Sequence, residues 1–453
     1  MAVNSPDTIV AVASPAGRGA VGMVRVSGAE VPRIAREILG FVPLPRHARL
    51  AIFLDPEGNC LDQGLALYFP APASFTGEHV LELHGHGGAL VMDLVLRRVL
   101  ELGCRMARPG EFSERAFCNG KMDIAQAEAV ADLIDAGSVA AAKAAVRSMR
   151  GEFSARIAEL QAQLTELRAY VEAAIDFPDE EVDFLSSAAI GARLDQVFGG
   201  FDSIIAAARQ GSLLREGLTV VIAGKPNAGK SSLLNRLVGD DVAIVTAAPG
   251  TTRDLLRQHL ELDGLPLNLV DTAGLRTASD EAEEEGVRRA RAEMRQADRV
   301  LYVQDATRVG ERSAAELAAE LEELTPDVPL TLVFNKIDLT GAAAHATHGA
   351  ATEIFLSAKT GAGLDLLRAH LKESAGYRAS ESGAFTARRR HLDALRRAQA
   401  LVRSAALVLR RPQAFELFAE DLRLAQGALG EITGEFTSED LLGAIFGSFC
   451  IGK

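Results

Sequence analysis

The feature that most constrains this chain is the run Gly224-Lys-Pro-Asn-Ala-Gly-Lys-Ser231, which follows the apolar stretch 218–223 and precedes a helix-forming stretch, 232–238. This order of strand, glycine-rich loop and helix matches the P-loop pattern G-x-x-x-x-G-K-[ST]. In such a loop, backbone N–H groups and the helix N-terminus surround nucleotide phosphates. We therefore expect Lys230 to reach the β and γ oxygens and Ser231 to bind magnesium.

Three further motifs follow in the order expected of a GTPase. An apolar run ends in Asp271-Thr-Ala-Gly274, whose carboxylate can hold the metal through water while the last amide senses the γ-phosphate. Asn335-Lys-Ile-Asp338 and Ser357-Ala-Lys359 each follow another predicted strand. The Asp338 carboxylate can accept from both N1–H and the 2-amino group of guanine, a donor pair that adenine lacks. The sequence therefore predicts GTP rather than ATP.

The loop Thr246 to Asp254 lies between the P-loop and the Asp271 strand, and its Thr252 can complete the magnesium shell. The full set of residues predicted to contact GTP is Asn227, Ala228, Gly229, Lys230, Ser231, Ser232, Thr246, Ala247, Ala248, Pro249, Gly250, Thr251, Thr252, Asp271, Thr272, Ala273, Gly274, Asn335, Lys336, Asp338, Ser357, Ala358 and Lys359.

Two groups that usually assist GTP hydrolysis are missing from the sequence. Leu275 stands where Ras-like proteins place the glutamine that orients the attacking water, and no arginine finger is evident. A potassium ion bound by Asn227 and by carbonyls of the loop after Thr246 would supply the missing positive charge. The acidic run 279–285 offers carboxylates for orienting water, and it is equally typical of a helix N-terminus.

Length and composition indicate several domains. At 453 residues the chain exceeds what one hydrophobic core usually supports, and Ala-rich helical segments flank the GTPase motifs. We expect a multidomain α/β plus α+β fold, in which a Ras-like G domain is inserted in an all-helical domain and preceded by an α+β N-terminal domain. The predicted boundaries give four segments, 1–118, 119–216, 217–376 and 377–453.

Charge and cysteine usage restrict the setting of the protein. The formal net charge of −13 argues against general affinity for nucleic acid, and the one basic run, Arg388 to Arg411, is either an RNA-binding patch or a solvated helix face. The four cysteines form no CxxC pair, and the sequence shows neither a signal peptide nor a long apolar run. These features predict a cytoplasmic protein without a membrane span.

Several blocks outside the G domain resemble the MnmE (TrmE) family of tRNA-modifying GTPases, and the resemblance covers the whole chain. They are Ser14 to Gly22, Phe75-Thr-Gly-Glu78 with Gly85-His-Gly-Gly88, Arg108 to Phe117, and Phe449-Cys-Ile-Gly-Lys453. The resemblance implies a homodimer that acts with the flavoprotein MnmG to modify the wobble uridine of tRNA at carbon five.

The resemblance also assigns roles to single residues. It places a reduced tetrahydrofolate derivative, the source of the one-carbon unit, on Arg25, Glu82, Lys121 and Lys453. It places potassium on Asn227, Thr246, Ala248 and Thr251, and magnesium on Ser231 and Thr252. It selects Glu283 as the residue that orients water. Lys230, the phosphate-binding cation, is the other catalytic residue of the G domain. We also expect a functional role for Cys450, because it lies in a polar, glycine-containing tail.

Two other functions fit the GTPase motifs. A ribosome-assembly GTPase of the Era or Der type shares the P-loop and the 335–338 motif, but those proteins carry a KH-like domain after the G domain. The C-terminal sequence here has no G-x-x-G loop. The third possibility is a dimeric scaffold whose GTPase times partner release.

Overall fold

The computed structural model describes residues 7–176, 187–240, 257–271, 294–295, 297–308, 328–349, 351–377, 384–408, 415–435 and 439–452. Several predicted site residues lie outside the described residues, namely Thr246, Ala247, Ala248, Pro249, Gly250, Thr251, Thr252, Thr272, Ala273, Gly274, Leu275, Glu283 and Lys453.

The chain forms two compact units. The first contains Met1–Ala131, Met149–Leu185 and Ala400–Lys453, and the second contains Asp132–Ser148 and Ser186–Gln399. The segment with the GTPase motifs lies wholly in the second unit. The four predicted segments divide the chain more finely, and their boundaries stay predictions.

The first unit contains a six-stranded sheet. Its strands are β1 (Ile9–Val12), β2 (Val21–Ser27), β3 (Arg49–Leu54), β4 (Cys60–Phe69), β5 (Val80–His86) and β6 (Arg105–Met106). They lie in the order β3-β4-β5-β2-β1-β6, and all neighbours are antiparallel except β1 and β6.

One face of this sheet packs against two helices, α1 (Val31–Leu39) and α2 (Ala89–Glu101). Val24 and Leu83 lie in the core beneath them. Because successive strand residues face opposite sides, Arg25 and Glu82 lie on the other face, where β2 and β5 pair them directly. The N-terminal sheet therefore has one covered face and one face that carries predicted site residues.

The Ala-rich middle of the chain is helical, as expected. Its helices are α3 (Glu111–Cys118), α4 (Ile124–Ile134), α5 (Val139–Met149), α6 (Glu152–Asp176) and α7 (Ser187–Glu216). None of the described helices combines the length and hydropathy that a bilayer-spanning segment requires.

The second unit contains a seven-stranded sheet with two helices that bear on the site. These elements are β7 (Leu218–Gly224), α8 (Lys230–Asp240), β8 (Arg257–Leu262), β9 (Leu265–Asp271), β10 (Arg299–Asp305), β11 (Leu330–Asn335), β12 (His345–His348), β13 (Thr352–Phe355) and α9 (Leu364–Ser374). The strand order is β12-β13-β11-β10-β7-β9-β8, with the edge strands β8 and β12 antiparallel to their neighbours and the other pairs parallel.

The position of β7 explains where the nucleotide site lies. Val220, Val221 and Ile222 are all buried, as expected of a parallel strand with both faces covered. From β7 the sheet continues through β9 in one direction and through β10 in the other. Ligands of open α/β sheets bind at the carboxyl end of the strands where the order diverges in this way, and the P-loop follows β7 there.

Three helices end the chain, α10 (Arg389–Val408), α11 (Phe415–Thr433) and α12 (Glu439–Gly447). Phe446 of α12 packs against Phe117 of α3, with ring centroids 6.3 Å apart. A Cβ on Gly110 would lie 2.4 Å from the carbonyl oxygen of Phe446, so this approach requires glycine. This contact packs α12 against α3 and the residue before it.

The basic run on α10 has a mixed environment. Arg388, just before the helix, pairs with Asp132 at 2.9 Å and is a structural residue. Arg389, Arg396 and Arg403 are exposed. For these exposed residues both alternatives, an RNA-binding patch and a solvated helix face, stay open.

Candidate functional site

The backbone of the P-loop depends on two glycines. Gly224 has a φ of +138°, and a Cβ there would lie 2.2 Å from the carbonyl oxygen of Val303 on β10. Gly229 has a φ of +94°, and a Cβ there would lie 2.2 Å from Nδ2 of Asn335. Both positions therefore require glycine. They let the P-loop backbone lie directly against β10 and β11.

Lys230 begins α8 and is only 8% exposed. Its Nζ donates to the carbonyl oxygens of Gly224 at 2.9 Å and Lys225 at 3.0 Å. The ammonium group is thus held within the loop by backbone acceptors that an incoming phosphate can replace.

Two consecutive residues, the last of β11 and the one that follows it, hold two consecutive carbonyls of the P-loop. Asn335 donates from Nδ2 to the carbonyl oxygen of Ala228 at 3.0 Å, and Lys336 donates from Nζ to that of Asn227 at 2.6 Å. Asn335 Oδ1 in turn accepts the N–H of Ala358 at 2.9 Å. The structure therefore joins three of the predicted motifs around one backbone loop.

Asp338 is oriented by Ser357. It lies on a single 3-10 turn, Ile337–Leu339, and is exposed. The buried Ser357 hydroxyl donates to Oδ1 of Asp338 at 2.6 Å. One carboxylate oxygen is thus fixed while the group stays accessible to a base. Lys359 is exposed and makes no hydrogen bond or ion pair with the part of the chain that the structure describes.

Asp305 is a residue of this site that sequence reasoning missed. It ends β10, in register with Asn335 at the end of β11, and its Oδ2 accepts from Lys336 Nζ at 2.7 Å. Burial alone would raise the pKa of this carboxyl, but hydrogen bonds from Lys336 and Thr307 outweigh burial and lower it to about 2. The available signal was its place directly after an apolar strand.

Ser231 and Asn227 are predicted metal ligands that the structure describes. Both residues are exposed, and neither side chain forms a hydrogen bond with another described residue. Asn227 has a φ of +62°, a left-handed conformation that Asn tolerates. Ser232 is also exposed, and Asp271 ends β9. Within the described ranges no group of three or more His, Cys, Asp or Glu side chains could hold a metal.

A second cluster surrounds Arg25 on the face of the N-terminal sheet opposite α1 and α2. Its Nη2 lies 2.9 Å from Oε1 of Glu82, and Oε2 of Glu82 lies 3.2 Å from Nε2 of His84. The guanidinium carbon is 5.8 Å from the ring centroids of both Phe75 and Phe112. Arg25 therefore lies beside two aromatic rings with its charge directed at a carboxylate.

The C-terminal tail returns to this cluster. Arg25 donates from Nη1 to the carbonyl oxygen of Gly452 at 3.4 Å. Gly452 has a φ of +94°, and a Cβ there would lie 2.6 Å from the carbonyl oxygen of Val12 on β1. The tail is thus packed tightly against the sheet at the residue before Lys453.

Lys121 and Cys450 contact neighbouring segments rather than Arg25. Lys121 donates from Nζ to the carbonyl oxygen of Pro72 at 3.0 Å, in the loop that also carries Phe75. Cys450 is exposed, and its backbone carbonyl oxygen accepts the N–H of Gly110 at 3.4 Å. The structure therefore joins Arg25, Glu82 and the end of the tail, and places Lys121 on the adjoining loop.

An ion network that the sequence did not predict anchors α3, the helix that carries Phe112. The buried Arg115 lies 3.1 Å from Glu78 and Glu111 and 2.9 Å from Asp7. Burial alone would lower the pKa of Arg115, but the carboxylates of Glu78 and Glu111 outweigh burial and raise it. The network fixes one wall of the Arg25 cluster.

Comparison with known proteins decides the family. Residues 124–450 match the model of the MnmE helical domain, and residues 8–121 match that of the GTP-binding protein TrmE N-terminus. The chain is 58% identical to the tRNA modification GTPase MnmE of Methylococcus capsulatus (strain ATCC 33009 / NCIMB 11132 / Bath), with 100% of both chains covered. It is 55% identical to that of Proteus mirabilis (strain HI4320), again over 100% of both chains. The chain belongs to the MnmE family.

A solved structure of Aquifex aeolicus Era bound to GDP·AlF4⁻ is 26% identical and covers 44% of this chain and 69% of that chain. Its TM-score of 0.27 is too low to support a structural comparison.

Membership of the MnmE family confirms the resemblance, the multidomain fold class with its Ras-like G domain, and the enzyme class, a GTPase. The roles of individual site residues stay predictions.

Proposed function

We propose that this chain hydrolyses GTP with magnesium, acting with a flavoprotein of the MnmG type to modify the wobble uridine of tRNA at carbon five. One observation carries the nucleotide part: Asn335 and Lys336 hold the carbonyls of Ala228 and Asn227, so the guanine motif and the P-loop form one site. The tRNA part is supported by the relatives, which are tRNA modification GTPases.

Recognition of guanine follows from the oriented carboxylate. Ser357 occupies one lone pair of Asp338 Oδ1, and the remaining acceptor capacity suits the N1–H and 2-amino donors of guanine. An adenine would leave this carboxylate facing an unprotonated ring nitrogen. The Ala358 amide is already engaged with Asn335, which fixes the turn whose backbone we expect to meet guanine O6.

Phosphate binding follows from the P-loop. Lys230 would exchange its carbonyl acceptors for the β and γ oxygens, and the first turn of α8 adds backbone N–H donors. Magnesium fits this chemistry, because the Ser231 hydroxyl directly follows Lys230, forms no hydrogen bond with another described residue, and hard cations prefer oxygen. Thr252 is its proposed second ligand. When bound, magnesium neutralises charge on the phosphate oxygens.

A potassium site is proposed at Asn227 with the backbone carbonyls of Thr246, Ala248 and Thr251. The exposed side chain of Asn227 has no hydrogen-bond partner in the part of the chain that the structure describes, and it fits an oxygen-coordinated cation. Such an ion would supply positive charge near the β- and γ-phosphates, where the sequence offers no evident arginine finger. Leu275 leaves the attacking water without its usual glutamine. Glu283 is proposed to orient the attacking water.

The Arg25 cluster is proposed to bind a reduced tetrahydrofolate derivative. The ring of a folate offers an adjacent N–H and 2-amino pair, which a carboxylate such as Glu82 can accept, and its glutamate tail carries negative charge for Lys121 and Lys453. Phe75 and Phe112 supply apolar surface beside Arg25. The one-carbon unit carried by the folate would reach the uridine from here, and Cys450 lies close by in the tail.

A homodimer is proposed to form over the same sheet face. Val21, Leu50, Ile52 and Leu65 are exposed by 42 to 63%, and Leu50 pairs directly with Leu65 across β3 and β4. Leu50, Ile52 and Leu65 form contiguous apolar surface on two neighbouring strands, and such surface marks interaction sites. A second copy on this face would also enclose the Arg25 cluster.

The experiment that tests the function compares tRNA from cells that lack this protein with tRNA from cells that express it. Mass spectrometry should show loss of the wobble-uridine modification, restored by the unmutated chain. The control Lys372→Ala, which changes a lysine of α9 that pairs with Asp263 outside the predicted motifs, should restore it too. Lys230→Ala should not restore it. Restoration by Lys230→Ala would favour a scaffold, and normal tRNA with accumulated ribosome precursors would favour the Era or Der type. The setting we propose is the cytoplasm.

A further inference from the structure

Asp305 lies outside the assigned motifs and contacts Lys336, the lysine of the guanine motif that holds a P-loop carbonyl. We infer that Asp305, acting through Lys336, is a positioning residue that fixes the Asn227 carbonyl and thereby couples guanine binding to the response of the enzyme to monovalent cation. The coupling to cation rests on the proposed potassium site.

Asp305 and Lys336 form a clamp, which consists of two short contacts on one ammonium group. Lys336 Nζ lies 2.6 Å from the carbonyl oxygen of Asn227 and 2.7 Å from Oδ2 of Asp305. The other carboxylate oxygen, Oδ1, accepts from the N–H of Thr307 at 3.0 Å and from its hydroxyl at 2.7 Å. Both oxygens of Asp305 are therefore committed, and its orientation is fixed.

Lys336 needs such a partner more than Asn335 does. Asn335 is buried and is held by the N–H groups of Lys336 and Ala358, so its amide is oriented without help from Asp305. Lys336 instead presents a flexible four-carbon stem, and its side chain is 30% exposed. Among the described residues, Asp305 is the carboxylate that holds the ammonium group in place.

The residue held by this clamp has an uncommon backbone conformation. Asn227 has a φ of +62°, which costs about 1 kcal/mol or more outside glycine. The charged hydrogen bond from Lys336 to its carbonyl oxygen favours this conformation. Since the orientation of the Asn227 side chain follows from its backbone, loss of Asp305 should disturb the proposed cation ligand without removing it.

The strand register explains why Asp305 can serve this purpose. β10 and β11 are parallel neighbours with Asp305 opposite Asn335, so Asp305 lies beside the residue that precedes Lys336. Lys336 itself is left-handed, with a φ of +71°, where the chain turns after β11. A matched carboxylate stands at the other end of β10, where Asp298 accepts the N–H of Thr219 at 2.8 Å, remote from the nucleotide motifs.

The test compares Asp305→Asn with Asp298→Asn in the full-length protein, using fluorescent N-methylanthraniloyl-GDP and titrations of GTP turnover with potassium. Asp305→Asn should weaken nucleotide affinity by about tenfold, because it removes one charged hydrogen bond, and should raise the half-activating potassium concentration several-fold. Asp298→Asn should change neither. Lys336→Met combined with Asp305→Asn should be no worse than Lys336→Met alone.

Three outcomes would overturn the inference: unchanged nucleotide affinity in Asp305→Asn, equal losses in the two Asp→Asn variants, or lower affinity with an unaltered potassium response. Additive effects of Asp305→Asn and Lys336→Met would also overturn it. If the unmutated protein shows no preference for potassium, the proposed cation site fails instead, and nucleotide affinity and the double variant still decide the role of Asp305.

Discussion

The nucleotide site and the Arg25 cluster are assembled in opposite ways. In the G domain, the contributing residues other than Asp305 belong to short contiguous motifs, and neighbouring residues such as Asn335 and Lys336 act together. In the N-terminal domain, Arg25 meets Glu82 across 57 residues of sequence and Gly452 across 427. No local pattern connects these three.

The difference has a physical origin in the two sheets. The carboxyl ends of parallel strands meet at one edge, so the turns that follow β7, β10 and β11 converge without further specification. An antiparallel sheet instead forms a site from single side chains that face each other across strands. Such side chains carry no spacing signal, which is why Arg25 and Glu82 were found through resemblance to a family.

The largest effect should come from changing the base-recognition carboxylate. Asp338→Asn removes both charged acceptors for guanine, so GTP affinity should fall by about 10³-fold. Xanthosine triphosphate should then become the better substrate, because the Asn amide can donate to the carbonyl that xanthine has at position 2. Turnover assays with both nucleotides measure this exchange.

Reduced-folate binding supplies the control for that variant. Calorimetry on Asp338→Asn should give the same folate affinity as the unmutated chain, since the two sites share no residue. Unchanged GTP turnover in Asp338→Asn would show that Asp338 does not recognise guanine. The proposed guanine site would then be wrong.

Removal of the proposed water-orienting residue should act on rate alone. Glu283→Ala should lower kcat by about 10²-fold with little change in nucleotide affinity, because such a group acts mainly in the transition state. Single-turnover hydrolysis and nucleotide titration separate the two quantities. Glu285→Ala, in the same acidic run, is the matched control. Loss of GTP binding in Glu283→Ala would make Glu283 structural.

The Arg25 cluster can be broken without touching the G domain. Arg25→Ala should weaken binding of a reduced folate by about tenfold or more, because it removes a cation that also orients Glu82. Arg97→Ala serves as its control, since Arg97 is an exposed arginine of α2 paired with Asp93. GTP hydrolysis should be nearly unchanged in both variants. If calorimetry detects no folate binding to the unmutated chain, the N-terminal assignment is wrong.

The cation site should give a smaller, selective effect. Potassium has the larger ionic radius and should fit this site better than sodium, so it should support turnover about tenfold better at equal ionic strength, which corresponds to about 1.4 kcal/mol. Asn227→Ala should abolish this difference. Equal rates in the two salts, with saturating GTP and magnesium, would exclude potassium from the mechanism. The positive charge at the phosphates would then have to come from an arginine or from a partner protein.

Much of the fold and of the G-domain site could be predicted from sequence, and the failures have clear causes. The β7 strand and the P-loop were found because a buried parallel strand reads as a continuous apolar run. β3 and β4 carry no clear strand signal in the sequence, since their outer residues, Leu50 and Leu65, are apolar as well and obscure the alternation expected of a half-exposed strand. Asp305 was missed because a lone acid after a strand is not a motif.

The smallest effect we predict is on stability in acid, and it also compares the two regions. Asp305 has a folded-state pKa of about 2, below its ordinary value of 3.8. A depressed pKa means that the carboxylate stabilises the fold above pH 4 and that this stability is lost as the pH falls toward 2. Because the pair with Lys336 is partly exposed, we expect only about 1 kcal/mol. Asp305→Asn should therefore lower the melting temperature of the G domain at pH 7 and match the unmutated chain near pH 2. A difference for Asp305→Asn that persists unchanged into acid would show that its carboxylate does not stabilise the fold through its charge.

In the N-terminal domain, the pKa of the buried Glu111 is also lowered, because burial is outweighed by hydrogen bonds from Arg105, Arg108 and Arg115. Glu111→Gln should therefore also destabilise its domain at pH 7, and this loss should likewise shrink as the pH falls.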